Sequence, residues 1–265
     1  MANTVYSNFY LSNEVADQLN SRLDLMRFCT HDPSLEGTAG MKRTINVYSA
    51  TNGTEKLAQG AGNTKSIEVG FTQKEYEILL AQNRFDWYDE EAMKDPMLVP
   101  VGMKHAGVDI FNTMQADIFA EFKKATLTAP ATAFDFNAFA DARAKLNLEE
   151  AEGVEIFAHV NANTLAKIRK ALKTDLQYVE AFVRTGYVGT VCGINLYDKK
   201  DAEDDALYIG TKKAVTLFTK KGVEVEQPPR SADEANIRKN SVFSRKYYLA
   251  ALTDASQVVK LAVGA

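Results

Sequence analysis

Two cysteines and three histidines in 265 residues leave little material for a disulfide framework or a metal centre. Cys29 and Cys192 stand far apart, which excludes a staple of short disulfide loops and fits a chain that matures in a reducing compartment, so cytosolic synthesis is expected. No apolar run approaches the roughly 20 residues that a helix needs to cross a bilayer. The first ten residues have no basic stretch followed by an apolar one. Neither a membrane span nor a secretion signal is therefore expected. Positive charge is also short: 31 Lys and Arg face 35 Asp and Glu for a net charge of -4, so no bulk field draws in nucleic acid. What remains is an ordinary globular profile, 46% hydrophobic and 25% charged, enough for one large domain or two smaller ones.

Catalytic constellations are equally scarce. His31, His105 and His159 form no pairing that would put two ligands on one helix face, and Cys29-Thr30-His31 lacks a second cluster at ligand spacing, so Cys29 reads as a partly buried small hydrophobe. Gly60, Gly62 and Lys65 resemble a phosphate loop only superficially, because an alternating strand rather than a helix follows them. Gly186, Gly189 and Gly193 fall in and around a strand, where glycine marks a bulge or close packing. The acidic runs Asp86, Asp89, Glu90, Glu91 and Asp201 to Asp205 lack the spacing of a calcium loop and read as solvated turns or partners of basic residues. Lys212, Lys213, Lys220 and Lys221 read as a solvated face. No catalytic, cofactor-binding or metal-binding residue is assigned.

Hydrophobic periodicity gives the organisation. Val15, Leu19, Leu23 and Met26 recur at helical spacing behind Ser12 and Asn13, which predicts an amphipathic arm helix whose apolar face docks outside its own segment. Residues 41–49 and 67–72 alternate as two hairpin strands, joined by a Gly-, Asn- and Thr-rich tip over 50–64 that reads as long and flexible. Roughly ten paired residues would reach about 34 Å, and an isolated two-stranded ribbon needs a partner. Asp95-Pro96 reads as a helix start, Asp95 for the cap and Pro96 for the first position, with regular hydrogen bonding from near Pro100, and opens a spine helix of roughly 25 residues and about 37 Å. Its core stripe is Val101, Val108, Phe111, Gln115, Ile118 and Phe122, flanked by Met114 and Phe119. A loop at 128–132 precedes a helix over 137–146 capped by Asp135 or Asn137, and a strand at 154–160 leads into a helix capped by Asn163. Further strands are expected at 187–196, 206–209, 242–252 and 258–263, with a linker at 227–231 and a turn at 253–256.

In this order the elements resemble the major capsid protein of tailed bacteriophages, the Hong Kong-ninety-seven-type fold. The local signals are Gly186-Tyr-Val-Gly-Thr-Val-Cys-Gly-Ile-Asn-Leu196, Ala206-Leu-Tyr-Ile-Gly210 and Ala214-Val-Thr-Leu-Phe218, which look like the family's axial-domain strands. The resemblance implies an α+β fold with an N-terminal arm at 1–40 and an extended β-hairpin loop at 41–83. It further implies a peripheral domain with the spine helix at 84–152 and 228–253, and an α/β axial domain at 153–227 and 254–265. It implies no enzyme and no cofactor, but a subunit that assembles with itself as hexamers and pentamers into the icosahedral head of a double-stranded DNA phage. Val15, Leu19, Arg43, Tyr48, Asn52, Lys56 and Lys65 are the expected inter-subunit contacts. The implied partners are a scaffolding protein separate from this short-armed chain, a portal protein at one vertex, packaged double-stranded DNA without sequence specificity, and a decoration protein. The implied place is the virion capsid, assembled in the host cytoplasm. Lys56 and Lys65 lie where some relatives cross-link subunits, but no acceptor or catalytic acid matches, so no cross-link is assigned. Two other readings stand beside this one: an encapsulin-type shell around cargo enzymes, and an α/β enzyme with a hairpin oligomerisation arm, which would need a deep polar pocket holding a perturbed titratable group.

Overall fold

The alternating and helical segments assemble into one hairpin, two sheets and a long helix between the sheets. The computed structural model describes residues 24–37, 40–148, 153–172 and 189–264. Ser12, Asn13, Val15, Leu19 and Leu23 of the expected arm helix lie outside the described residues. At its end, the Asp24 carboxylate accepts from the Met26 amide and opens a single 3-10 turn, Leu25–Phe28, followed by the short strand β1 (Thr30–Asp32). Leu25, Phe28 and Cys29 are buried, so this segment is part of the core.

Strands β2 (Lys42–Ala50) and β3 (Val69–Glu77) form the hairpin, with nine paired positions from Lys42 opposite Glu77 to Ala50 opposite Val69. The second strand starts later than its alternation suggests. Ile67 lies beyond the ladder, because the Thr51 amide donates to the Glu68 carbonyl at 2.9 Å and the Thr51 hydroxyl accepts from the Glu68 amide at 2.9 Å, turning the chain into the tip. Strand β4 (Leu79–Tyr88) continues directly from the hairpin, crossing the expected loop boundary at 83, and leads through the short helix α1 (Asp89–Lys94) into the spine helix α2 (Leu98–Phe122).

At 25 residues the spine helix has its expected length, but it starts at Leu98 behind Met97 rather than at Asp95-Pro96, because Asp95 closes α1 with its amide on the Glu91 carbonyl. Pro100 sits in its first turn, where no intrahelical partner for an amide is missing. Its core face differs in the first half. Ala106 and Ile110 are buried while Val108 is only half-buried, because this part packs on β4: the Phe85 ring lies against Gly102, and Asn83 Nδ2 donates to the Ala106 carbonyl at 2.7 Å. In the second half Met114, Gln115, Ile118, Phe119 and Phe122 are buried, as the stripe predicts.

The first sheet runs β1-β10-β11-β4, with β10 at Val215–Glu226 and β11 at Lys239–Leu252. The second runs β5-β12-β9-β6-β8-β7. Its members are β5 (Leu127–Ala131), β6 (Ile156–Val160), β7 (Thr190–Val191), β8 (Ile194–Asp198), β9 (Ala206–Thr211) and β12 (Val258–Val263). Helices α3 (Phe136–Leu146) and α4 (Ala162–Ala171) cover one face, and α5 (Ala232–Asn236) follows the 227–231 linker. Every residue of β6 is buried, and its two-residue period divides the core. Ile156, Ala158 and Val160 join Phe139, Ala142 and Ile168 under α3 and α4, whereas Phe157 joins Ile118, Phe122, Tyr208 and Phe28 around the spine. The spine thereby packs against both sheets, since Val215, Leu217 and Tyr248 of the first sheet share that second cluster.

Several local expectations change. The segment 128–132 is the strand β5 rather than a loop; Pro130 is tolerated because β5 is an outer strand with a single neighbour, β12. Asn161, not Asn163, caps α4: its Oδ1 accepts from the Thr164 amide at 2.7 Å, while Asn163 turns to Asp204. Asp135 is the α3 cap. The expected strand at 187–196 is a hairpin over its described part, because Cys192 and Gly193 both take positive φ, 50° and 76°, the pattern of a tight two-residue turn. Ala214-Val-Thr-Leu-Phe218 does not join the other two signature segments. It opens β10 and pairs with β11 and β1 in the first sheet, so the expected axial segment 153–227 divides between two sheets. Residues 258–263 form the expected strand.

Candidate functional site

The hairpin is fixed at its root by a set of hydrogen bonds. At the root the Ile78 amide donates to the Met41 carbonyl at 2.7 Å, Lys220 Nζ donates to the Gly40 carbonyl at 2.7 Å, and the Tyr76 hydroxyl donates to the Leu252 carbonyl at 3.3 Å. The Tyr76 ring stacks on Phe218 at 6.0 Å beside the buried cluster of Leu35, Ile78 and Ala251. Nine paired residues at about 3.4 Å each carry the ribbon about 31 Å from there.

Hydrogen bonds link the two sides of the tip. Glu55 Oε1 and Oε2 accept from the Thr64 hydroxyl and amide, both at 2.7 Å, and Oε2 also accepts from the Lys65 amide at 3.4 Å. Hydrogen bonding from Thr64 holds the Glu55 carboxyl below its usual range. Gly53 is buried against the backbone of Ser66 and Ile67, where any Cβ would approach within 2.8 Å. Glu55 carries no periodic signal in the sequence, which is why pattern reading passes it over.

Large apolar side chains remain on the surface of this arm and its neighbourhood. Ile67, Val69 and Phe71, spaced two apart, are 61%, 66% and 63% exposed, and Leu57 at the tip is 46% exposed. Leu79 and Leu80 at the start of β4 and Val223 and Val225 on β10 are exposed as well. Together they exceed the scattered apolar residues of an ordinary surface and point to cover by another chain. Leu79 and Leu80 border a groove of about 320 Å³ that also touches Asp117, Glu121 and Tyr248.

Of the expected contact residues, Asn52, Lys56 and Lys65 are exposed at the tip, and Arg43 is half-buried on β2 opposite Tyr76. Tyr48 stands in β2 opposite Phe71. Val15 and Leu19 lie outside the described residues. The structure therefore brings the tip residues together on one projecting element but, among the described residues, gathers no reactive constellation around them.

The groups that chemistry would use are occupied otherwise. His159 is wholly buried among Phe28, Phe119, Phe122 and Phe157, with ring centroids 5.1 to 5.8 Å away, and burial pushes its pKa down to about 3. Burial pushes the Cys29 thiol up to about 12, a proton-holding rather than nucleophilic state. The acidic runs are paired within the chain. Arg84 and Lys239 meet Asp86 at 2.6 and 3.0 Å, Arg230 meets Asp89 at 2.5 Å, Arg238 meets Glu90, and Lys167 meets Asp205 at 2.6 Å. Among the described residues no three His, Cys, Asp or Glu converge on a metal position, and no helix is long and apolar enough to cross a membrane.

Comparison with known proteins locates this architecture. No family model matches the chain. The major capsid protein of Staphylococcus phage phiMR11 is 24% identical over 257 residues, covering 93% of this chain and 89% of that protein. The mature capsid subunit of bacteriophage PhiM1 superposes with a TM-score of 0.72 at 10% identity, covering 100% of this chain and 92% of that one. The chain has the major capsid fold of tailed bacteriophages. The capsid fold extends to a virus-like particle from Pyrococcus furiosus, with a TM-score of 0.58 at 12% identity over 94% of this chain and 95% of that one. Within it the projecting β2–β3 ribbon is the extended loop and α2 the spine helix.

Proposed function

We propose that this chain is the major capsid protein of a tailed double-stranded DNA bacteriophage and assembles with itself, as hexamers and pentamers, into the icosahedral head. The observation that carries the reading is the ribbon: nine backbone pairs project from a clamped root, bearing Ile67, Val69 and Phe71 that are each more than 60% exposed. A second copy supplies the cover. The groove beside Leu79 and Leu80 suits the ribbon of a neighbour, with apolar surface for Leu57 and Ile67 and the carboxylates Asp117 and Glu121 for Lys56 and Lys65. Arg43, Tyr48 and Asn52 on the same ribbon, and Val15 and Leu19 on the arm, complete the proposed contacts.

The first sheet with α2 forms the peripheral body and the second sheet with α3 and α4 the axial body that meets its copies around the symmetry axes. This division follows the sheets, so β10 belongs to the peripheral body. A separate scaffolding protein, a portal at one vertex, a decoration protein and packaged DNA held without sequence specificity are the proposed partners, with assembly in the host cytoplasm. The role is structural, not catalytic. The phage relative does not favour the encapsulin-type reading.

Deleting residues 51–63 tests the proposal. The expected product is a folded, soluble subunit with native circular dichroism that no longer closes shells; closed shells from the deleted chain would overturn the role given to the ribbon.

A further inference from the structure

A concavity of about 310 Å³ beside the N-terminal segment gathers three cations. Arg27 comes from the Leu25–Phe28 turn, and Lys212 and Lys213 from the connection between β9 and β10; Phe28, Thr30 and the carboxylate of Glu155 complete the lining used here. The two elements are tied, since the Thr30 hydroxyl donates to the Lys212 carbonyl at 3.0 Å. The Arg27 guanidinium lies over the rings of Phe28 and Tyr197 at 4.6 and 4.8 Å, which sets its plane without using its hydrogen-bond donors. Glu155 is held by the Tyr197 hydroxyl at 2.6 Å and by Asn195 Nδ2 at 3.2 Å, and Arg27 and Lys212 are close enough to lower its pKa further.

The charges do not balance. Among the described residues, none of the three cations forms an ion pair, whereas Lys123, Lys167, Lys199, Arg230 and Arg238 each face a carboxylate. Three cations against one carboxylate, in a chain that is acidic as a whole, make a local positive site built from two parts of the fold. A flat guanidinium with free forked donors beside two ammonium groups suits phosphate oxygens. Among the described residues no helix or ribbon projects from these two turns to enter a groove and read bases, so the contact inferred is with the backbone.

We infer that Arg27, Lys212 and Lys213 form a contact site for phosphates of the enclosed double-stranded DNA. The inference rests on the capsid reading, which supplies the DNA. It also gives a distinct role to Lys212 and Lys213, which the sequence pattern alone presents as an ordinary solvated face.

The test is binding of a fluorescein-labelled duplex of random sequence to the full-length chain, by anisotropy, over about 50 to 200 mM salt. The triple variant Arg27→Ala, Lys212→Ala, Lys213→Ala should lose about tenfold or more in affinity at low salt and lower the log–log salt slope by about 2 to 3. Glu155→Gln should tighten binding, and it keeps the test decisive should the triple variant fail to fold. An unchanged slope in the triple variant, or no tightening with Glu155→Gln, overturns the site. Polyglutamate binding that needs the three cations while duplex binding does not would assign the concavity to an acidic protein and equally overturn it. Electron microscopy of the same preparations scores the capsid reading separately: cation-dependent duplex binding by a chain that never closes shells would support the site and contradict the shell.

Discussion

The Leu25 amide donates to Gln115 Oε1 at 2.6 Å, fastening the N-terminal segment to the middle of the spine helix. Gln115 Nε2 returns a bond to Asp24 at 3.0 Å, and the glutamine is 1% exposed. This explains a polar residue in an apolar stripe: it supplies the partner that a buried backbone amide needs. Gln115→Leu keeps the volume and removes the partner, so the subunit should lose about 1–3 kcal/mol, read as a lower urea midpoint. An unchanged midpoint would show that the segment is held by apolar contacts alone.

A second prediction concerns the first half of the spine. A Cβ on Gly102 would meet the Phe85 ring at 2.3 to 2.6 Å, and that ring is stacked on the buried Trp87. Gly102→Ala should therefore cost about 1–3 kcal/mol by overpacking. Gly107→Ala, on the same helix with open space around its Cβ, should gain up to about 1 kcal/mol in helix propensity. Thermal melts of the two variants should move in opposite directions.

The same geometry shows how much was legible beforehand. The length of α2, the strand at 258–263 and the burial of Met114, Gln115, Ile118, Phe119 and Phe122 follow from the sequence, because large side chains recurring three and four apart mark the face that packs inward. Val108 does not follow, because β4 rather than a second core layer covers that part of the helix, and tertiary partners are invisible to a single-helix pattern. The choice between Asn161 and Asn163 turns on where β6 ends, which two asparagines of equal capping ability cannot announce. Ala214 to Phe218 and Ala206 to Gly210 are similar short apolar runs yet sit in different sheets, since such a run marks a strand and not its neighbours. Of the candidate site, the hairpin and its exposed tip lysines were legible; the Glu55 clamp and the concavity at Arg27 were not, because both depend on distant residues meeting.

His159 makes stability depend on pH. Its folded pKa lies near 3, chiefly through burial and secondarily through the charges of Lys199 and Arg27, against an ordinary value of 6.5. Between those values the unfolded chain binds a proton that the folded chain refuses. Stability is thus full above about pH 6.5 and falls as pH drops towards 3, by about 1.4 kcal/mol per pH unit. Between pH 7 and pH 5 the loss from this group is about 2 kcal/mol. Carboxylates with lowered pKa values, such as Asp86, lose their contribution only below their ordinary value of 3.8, outside that window. His159→Leu should flatten the denaturation free energy between pH 7 and 5; an equal slope in the variant would refute the assignment.

Glu55 ties the two sides of the hairpin tip, so Glu55→Gln should weaken the acceptors for the Thr64 and Lys65 amides without touching the fold of the body. Hydrogen exchange should speed up at those two amides and stay unchanged in β6. Equal protection in both chains would mean that the tip is organised by Gly53 and the Thr51–Glu68 bonds instead.

The central claim is that this chain closes shells with copies of itself. Analytical sedimentation of the purified full-length chain with electron microscopy, expressed with and without the scaffolding protein proposed for it, tests that claim most directly. Closed icosahedral particles or capsomer rings are predicted in at least one of the two conditions. A monodisperse small oligomer in both would contradict the account, and would leave the exposed face of Ile67, Val69 and Phe71 to a different partner.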